Sequence, residues 1–161
     1  MTSKLITPAL ILRSHLSLIP KESQVLSAET ISDAATILAT APFPVLSHTG
    51  TPTSTNDPTF TYANARALSL FQYPLEEFIG LPSRLSASAG TDRDVREVMM
   101  RNVAERGYSL GVTGVRVAKG GKEFRLVDAV VWNVMDEDGV SVIGQAAALV
   151  KVDGCPWYKE E

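Results

Sequence analysis

Four polar side chains interrupt the apolar strand-forming stretches of the C-terminal third of this 161-residue chain: Arg116, Asp128, Asn133 and Gln145. Burial without partners would cost on the order of 1–3 kcal/mol each. They must therefore face solvent, pair with one another, or meet something polar in an enclosed site. Arg116 with Asp128 reads as a cross-strand ion pair. Asn133 with Gln145 reads either as a polar pair or as the anchor of a ligand. Arg84 follows the Gly80-Leu81-Pro82-Ser83 loop. Its guanidinium is suited to fork onto a carboxylate or phosphate, and a loop carbonyl or a nearby Asp or Glu would serve it equally. His48 and His15 have no cysteine or second histidine at metal-ligand spacing, so His48 reads as a hydrogen-bonded strand-end residue. The single cysteine, Cys155, leaves no internal disulfide and no Cys-based zinc site. Asp136-Glu137-Asp138 reads as a solvated hairpin tip. There is no Gly-x-Ser-x-Gly, P-loop or Rossmann fingerprint, and no Ser/His/Asp or Cys/His set with a supporting motif. No enzyme and no metal are expected.

Composition narrows the class further. The length is that of one domain with one sizeable core. A net charge of −3 gives no electrostatic footprint for a nucleic-acid backbone. No apolar run approaches the roughly 18–20 residues of a spanning helix. Residues 1–21 carry Lys4, Arg13, His15 and Lys21 but no acid. A mitochondrial presequence has that composition, but Leu10 and Ile11 widen the apolar face in the manner of a helix packed on its own domain. A cytoplasmic protein is expected.

The elements that must position these residues centre on Phe60–Ala87. A strand at Phe60–Ala63 breaks at Asn64 into a helix, Ala65–Phe71. A turn at Tyr73-Pro74, a short helix Leu75–Phe78 and the Gly80-Leu81-Pro82 punctuation follow. Upstream, a helix from Thr7-Pro8 to about Ile19 and a second over Ala28–Ala39 (Ile31, Ala34, Ala35, Leu38) each need a surface on which to bury an apolar face. The candidates are the outer side of a sheet or a second copy of the chain. Val45–His48 opens the strands, and Thr49–Pro58 is a mobile polar loop. A Thr91-capped helix with Val95, Val98, Met99 and Val103 inward stops at Gly107. From Tyr108 the period becomes 2. A bulge at Gly114, a Gly120-Gly121 hairpin turn and an Asp136–Gly139 turn divide three antiparallel strands, the second with Phe124, Leu126, Val130, Trp132 and Val134 on one face. The tail from Gly154, with Trp157 and Tyr158, either docks back or stays loose.

This order of elements resembles a PAS domain. The segments Pro44-Val45-Leu46-Ser47-His48, Phe60–Leu68, Leu81–Ala87, Gly114-Val115-Arg116-Val117, Val131-Trp132-Asn133 and Gly144-Gln145-Ala146-Ala147 look like the MEKHLA family over about residues 10–150. A related domain lies at the C-terminus of plant class III homeodomain–leucine zipper regulators. The homeodomain and zipper are absent here, so no DNA-binding role carries over. The resemblance implies a sensory or interaction module with no catalytic residues to transfer. It also invites comparison with flavin-binding light sensors, whose reactive segment reads Gly-Arg-Asn-Cys-Arg-Phe-Leu-Gln. Ser83 stands where the cysteine would be, which excludes the thiol–flavin adduct and leaves flavin binding without an adduct open.

The resulting expectation is an α+β fold: a PAS-like five-stranded antiparallel sheet with short helices over one face, preceded by two N-terminal helices. Residues 1–41 form the helical cap, 42–151 the PAS-like domain and 152–161 the tail. A non-catalytic module would bind a small organic ligand in the cup and signal through its N-terminal helices. The expected lining is Tyr62, Asn64, Leu68, Phe71, Arg84, Leu85, Val98, Trp132, Asn133 and Gln145. Small residues at Ala63, Ala67, Gly144, Ala146, Ala147 and Ala148 would leave it room. A homodimer is expected as the partner state, and the alternative function is an interaction module that homodimerises with a filled core and no ligand. No nucleic acid, membrane or resident cofactor is expected.

Overall fold

The computed structural model describes residues 5–28, 30–50, 57–87 and 93–159. Its strands β1 (Val45–Thr49), β2 (Phe60–Ala63), β3 (Tyr108–Ala118), β4 (Lys122–Met135) and β5 (Val142–Asp153) form one antiparallel sheet in the order β2-β1-β5-β4-β3. The last three strands are the expected meander. β5 then pairs with β1, Val45–Thr49 lying against Ala148–Gly144. That pairing puts the β5 residue Gln145 near the centre of the sheet, with His48 on one side and Asn133 on the other.

One face of the sheet is covered by the N-terminal helices. Helix α1 (Pro8–Leu18) starts where Thr7 accepts a hydrogen bond from Leu10 N at 3.2 Å, with Pro8 in the first turn, and it stops before Pro20. Leu10, Ile11 and Leu12 are buried in one core with Val45, Val130, Trp132, Val134, Ala146 and Ala148. Burying an aliphatic side chain of this size stabilises the fold by about 1.5–3 kcal/mol. The apolar face of α1 is therefore buried within the chain and needs no second copy.

The second helix is shorter than its apolar period suggests. A 3₁₀ turn at Ile31–Asp33 leads into α2 (Ala34–Thr40), and Thr30 is extended at φ −139°, ψ 149°. Thr30 Oγ1 lies 2.7 Å from Ser32 Oγ and 3.4 Å from Asp33 Oδ2. Such local side-chain bonding competes with a helical turn, so the helix begins after this cluster.

The other face carries α3 (Ala65–Phe71), α4 (Leu75–Phe78), a 3₁₀ turn at Ser83–Ser86 and α5 (Arg93–Arg106). Phe60 stacks on Phe78 with centroids 4.2 Å apart, and Phe71 meets Phe124 edge-on at 5.2 Å. The expected mobile loop and the Thr91 cap fall largely outside the described residues. The tail docks: Trp157 Nε1 donates to Leu70 O at 2.8 Å and Tyr158 is buried.

Asp128 sets which side chains reach which face. Val112 pairs with Ala129 but Gly114 with Leu126, so β4 carries one more residue than β3 over that interval. The β4–β5 ladder is irregular on both sides of Asp128. An extra residue reverses the two-residue alternation. Phe124 and Leu126 therefore share a core with Ala129 and Val131, whereas Val130, Trp132 and Val134 face α1. This corrects the expectation of one continuous face. Arg116 lies opposite Phe124 in register, and the expected Arg116–Asp128 ion pair does not form. The β3–β4 register shifts between Val112 and Gly114, where the slip was expected, and also between Ser109 and Val112.

Candidate functional site

Between the second sheet face and α3–α5 lies a cavity of about 380 Å³. Its apolar wall includes Leu46, Phe60, Phe71, Met99, Met100, Val112, Leu126, Val131 and Leu149; its polar wall includes His48, Asp57, Ser83, Arg84, Ser86, Arg96, Arg116 and Gln145. The volume and the mostly apolar lining with a few convergent polar groups suit a small organic molecule.

The polar groups differ in how fully they are used. Arg84 Nε donates to Asp57 Oδ2 at 3.0 Å, an exposed pair at the rim worth about 0–1 kcal/mol. Ser86 Oγ donates to Ser83 O at 2.7 Å. His48 bonds through Nδ1 to the Thr49 carbonyl, which makes Nδ1 the protonated nitrogen and Nε2 an acceptor. Burial lowers the His48 pKa; the Thr49 bond opposes this and the positive charge of Arg116 adds to it. The imidazole is therefore neutral at pH 7. Burial likewise lowers the Arg116 pKa, with Arg96 pushing the same way. Both guanidiniums stay charged.

Gln145 and Asn133 are each 6% exposed and face each other across β4–β5. Asn133 Nδ2 donates to Val103 O on α5 at 3.1 Å, but its Oδ1 has no partner, and neither has Gln145 Nε2. The expected polar pair is in register without being bonded. Gln145 borders the cavity.

Of the ten residues expected to line the cup, Phe71, Arg84 and Gln145 border the cavity, and Asn133 lies beside it against α5. Leu68 packs in the aromatic core beneath. Leu85 and Val98 are 47% and 53% exposed. Trp132 and Tyr62 pack on the opposite core, against the N-terminal helices. Asn64 is a structural node: Oδ1 accepts from Val45 N and Ala67 N, and Nδ2 donates to Leu38 O and Phe43 O. The expected room is also reassigned. A Cβ on Gly144 would strike Ile6 and the His48 carbonyl, and Ala148 packs on the α1 side; Ala146 belongs to that core too but borders the cavity, as does Ala147.

His48, Arg96, Arg116, Met99 and Met100 were missing from the expected lining. Arg96, Met99, Met100 and Val103 fall at i, i+3, i+4 and i+7, one face of α5. The valines of α5 divide: Val103 is fully buried, Val95 is partly exposed but borders the cavity, and Val98 is 53% exposed and lies outside its lining. His48 was readable from the strand pairing, because it sits beside Gln145.

Ser83 borders the cavity and Cys155 does not, so thiol–flavin adduct chemistry has no residue here. For an unattached flavin the match is partial. Gln145 Nε2 offers a donor to a ring carbonyl, but Asn133, the amide beside it, is tied to Val103 and lies outside the lining. No three His, Cys, Asp or Glu residues gather among the described residues in a way that could hold a metal. No helix among them is long and apolar enough to cross a membrane.

Comparison with solved structures supports the fold. The chain is similar to a light-oxygen-voltage domain whose mechanism was examined with a flavin analogue: 24% identity, covering 73% of this chain and 82% of that one, TM-score 0.56. It is similar to the dark structure of the blue-light photoreceptor Aureochrome1 LOV domain: 19% identity, 79% and 86% coverage, TM-score 0.56. The LOV domain of a blue-light-activated histidine kinase from Erythrobacter litoralis gives 16% identity, 66% and 93% coverage, and TM-score 0.53. At these identities the likeness is one of fold. No curated protein matches. The MEKHLA domain profile matches residues 7–153, nearly the whole described chain including both N-terminal helices. The chain thus belongs to the MEKHLA domain family, a PAS-like family.

Proposed function

We propose that the chain is a non-catalytic sensory module that holds a small organic ligand in the cavity and reports it through α1 and α2. The observation that carries this reading is the cavity of about 380 Å³ beside a buried, unpartnered Gln145 Nε2. A filled interior would instead have favoured the interaction-module alternative. The route to the N-terminal helices is short. Val131 borders the cavity, and the next residue, Trp132, packs on His15 and donates to Ile11 O. A ligand that repacks Val131 thereby acts on the strand that holds α1, and a ligand shifts such an equilibrium by its differential affinity for the two arrangements.

The test starts from protein purified under native conditions. Its absorbance spectrum, native mass spectrum and solvent extract are recorded, and a library of small organic molecules is screened by thermal shift. A retained or stabilising molecule should slow backbone hydrogen exchange around the cavity and change it in residues 8–40. Absence of any retained or stabilising compound would sink the reading. A yellow flavin band would identify the ligand as flavin. Sedimentation with and without ligand shows whether a homodimer forms.

A further inference from the structure

The polar wall of the cavity is rich in donors and poor in anions. Arg116 stands half-buried on β3, and Arg96 faces the same space from α5. Among the described residues, Arg116 makes no ion pair or side-chain hydrogen bond, although each guanidinium carries five N–H donors. Asp57 is the carboxylate that borders the cavity among those residues, and it is engaged by Arg84 at 3.0 Å. Gln145 Nε2 adds a further buried donor without an acceptor. His48 spends its one N–H, at Nδ1, on the Thr49 carbonyl, so the imidazole brings no negative charge to this wall. Two like charges drawn together at the edge of an apolar chamber repel each other, and that repulsion is relieved when an anion sits between them. Arg is suited to this task because its planar fork matches two oxygens at once.

We propose that the cavity takes an amphiphilic organic oxyanion, its charged oxygens received by Arg116 and Arg96 with Gln145 alongside, and its apolar body laid against Phe71, Leu126, Val131 and Leu149. This rests on the reading of the cavity as a ligand site. It adds the chemical class of the ligand: one end a carboxylate or an equivalent oxyanion, the other end hydrocarbon or an aromatic ring. Burial first, and then the charge of Arg96, lower the Arg116 pKa; an anion between the two guanidiniums would oppose that shift.

The experiment uses matched pairs that differ only in charge: 2-naphthoate with 2-naphthamide, 3-phenylpropionate with its amide, and decanoate with decanamide. Binding to the full chain is measured by calorimetry and by displacement of the fluorescent sulfonate 1-anilinonaphthalene-8-sulfonate. At least one carboxylate should bind more tightly than its amide. Arg116→Gln should weaken that carboxylate roughly tenfold to a hundredfold, the range for loss of a charge-assisted hydrogen bond, and leave the amide unchanged. Circular dichroism checks that Arg116→Gln is folded; Arg96→Gln, at an exposed position on α5, gives an independent second variant with the same expected direction. Amides binding as well as carboxylates, or carboxylates indifferent to both substitutions, would overturn the oxyanion assignment while the cavity remained a ligand site. Binding of neither series would remove both.

Discussion

Trp132 Nε1 donates to the backbone carbonyl of Ile11 at 3.1 Å, joining the C-terminal half of β4 to the first half of α1 across 121 residues of sequence. Both residues are fully buried. A second tie, from Met135 N to Ser14 Oγ at 2.8 Å, fixes the helix one turn further along. Trp132→Phe keeps an aromatic ring but removes the indole donor and some buried volume, while the Ile11 carbonyl keeps its helical partner. The expected loss is about 1–3 kcal/mol, from the lost hydrogen bond and the space left behind. Urea denaturation should show a lower midpoint at unchanged slope, and hydrogen exchange should rise in residues 8–18 first.

His15 sets an acid limit on the same contact. Its Nε2 accepts from Val25 N at 3.0 Å and Leu26 N at 3.1 Å, and its ring packs edge-on against Trp132. Protonation would place a third donor among two. Burial lowers its pKa from 6.5 to about 4. A group whose folded pKa is depressed stabilises fully above its unfolded pKa. That stability falls as pH drops from 6.5 towards 4, amounting to about 3 kcal/mol in total. His48 is shifted the same way. The His15 share is therefore obtained by subtracting the pH profile of His15→Gln from that of the parent chain. A parallel pair of profiles would refute the assignment.

Asn64 is expected to be among the least replaceable polar residues. It caps α3 at Ala67 N (3.0 Å) and ties β1 at Val45 N (3.1 Å) to Leu38 O (2.9 Å) and Phe43 O (3.1 Å). Asn64→Ala should cost roughly 3 kcal/mol or more, since it removes a cap and leaves several buried groups unpaired. Asn64→Asp retains the two acceptor contacts but turns a negative charge on two carbonyls, so it should not rescue the fold. Thermal melts of both variants check this.

Gly144 admits no side chain. A Cβ there would lie against the His48 carbonyl, which belongs to the paired strand and cannot step aside, and against Ile6. Gly144→Ala should destabilise by about 1–3 kcal/mol through overpacking. Adding Ile6→Ala should recover part of the loss at Ile6 and none at the carbonyl. A neutral single substitution in a denaturant titration would contradict the close approach of β1 and β5.

The elements were legible where local chemistry sets them. Asn64 as a cap, Pro74 before Leu75–Phe78 and the turns after Ala118 and Met135 are readable without tertiary information, and α3 and α4 have the bounds their sequence suggests. The side-chain map of the site was less legible, and Asp128 explains much of the failure. Counting in twos from Phe124 puts Trp132 beside Phe124 and Leu126, and only the pairing with β3 discloses the additional residue that turns Trp132 to the other core. Tyr62 was misplaced for a related reason, because a four-residue strand gives too few alternations to fix its phase. Arg116 stands out in the sequence as a charge in an apolar strand, but its neighbours Arg96 and His48 come from α5 and β1, which no spacing along the chain connects.

The irregularity at Asp128 makes β4 a partition wall with a room on each side. Beyond it, Val131 borders one room and Trp132 is anchored in the other, with nothing between them but a single peptide plane. A wall of that thickness has no give of its own. Swelling of the chamber at Val131 must be taken up by α1 riding with the strand or by the Trp132–Ile11 tie letting go, and solvent exchange at the indole N–H tells those two responses apart.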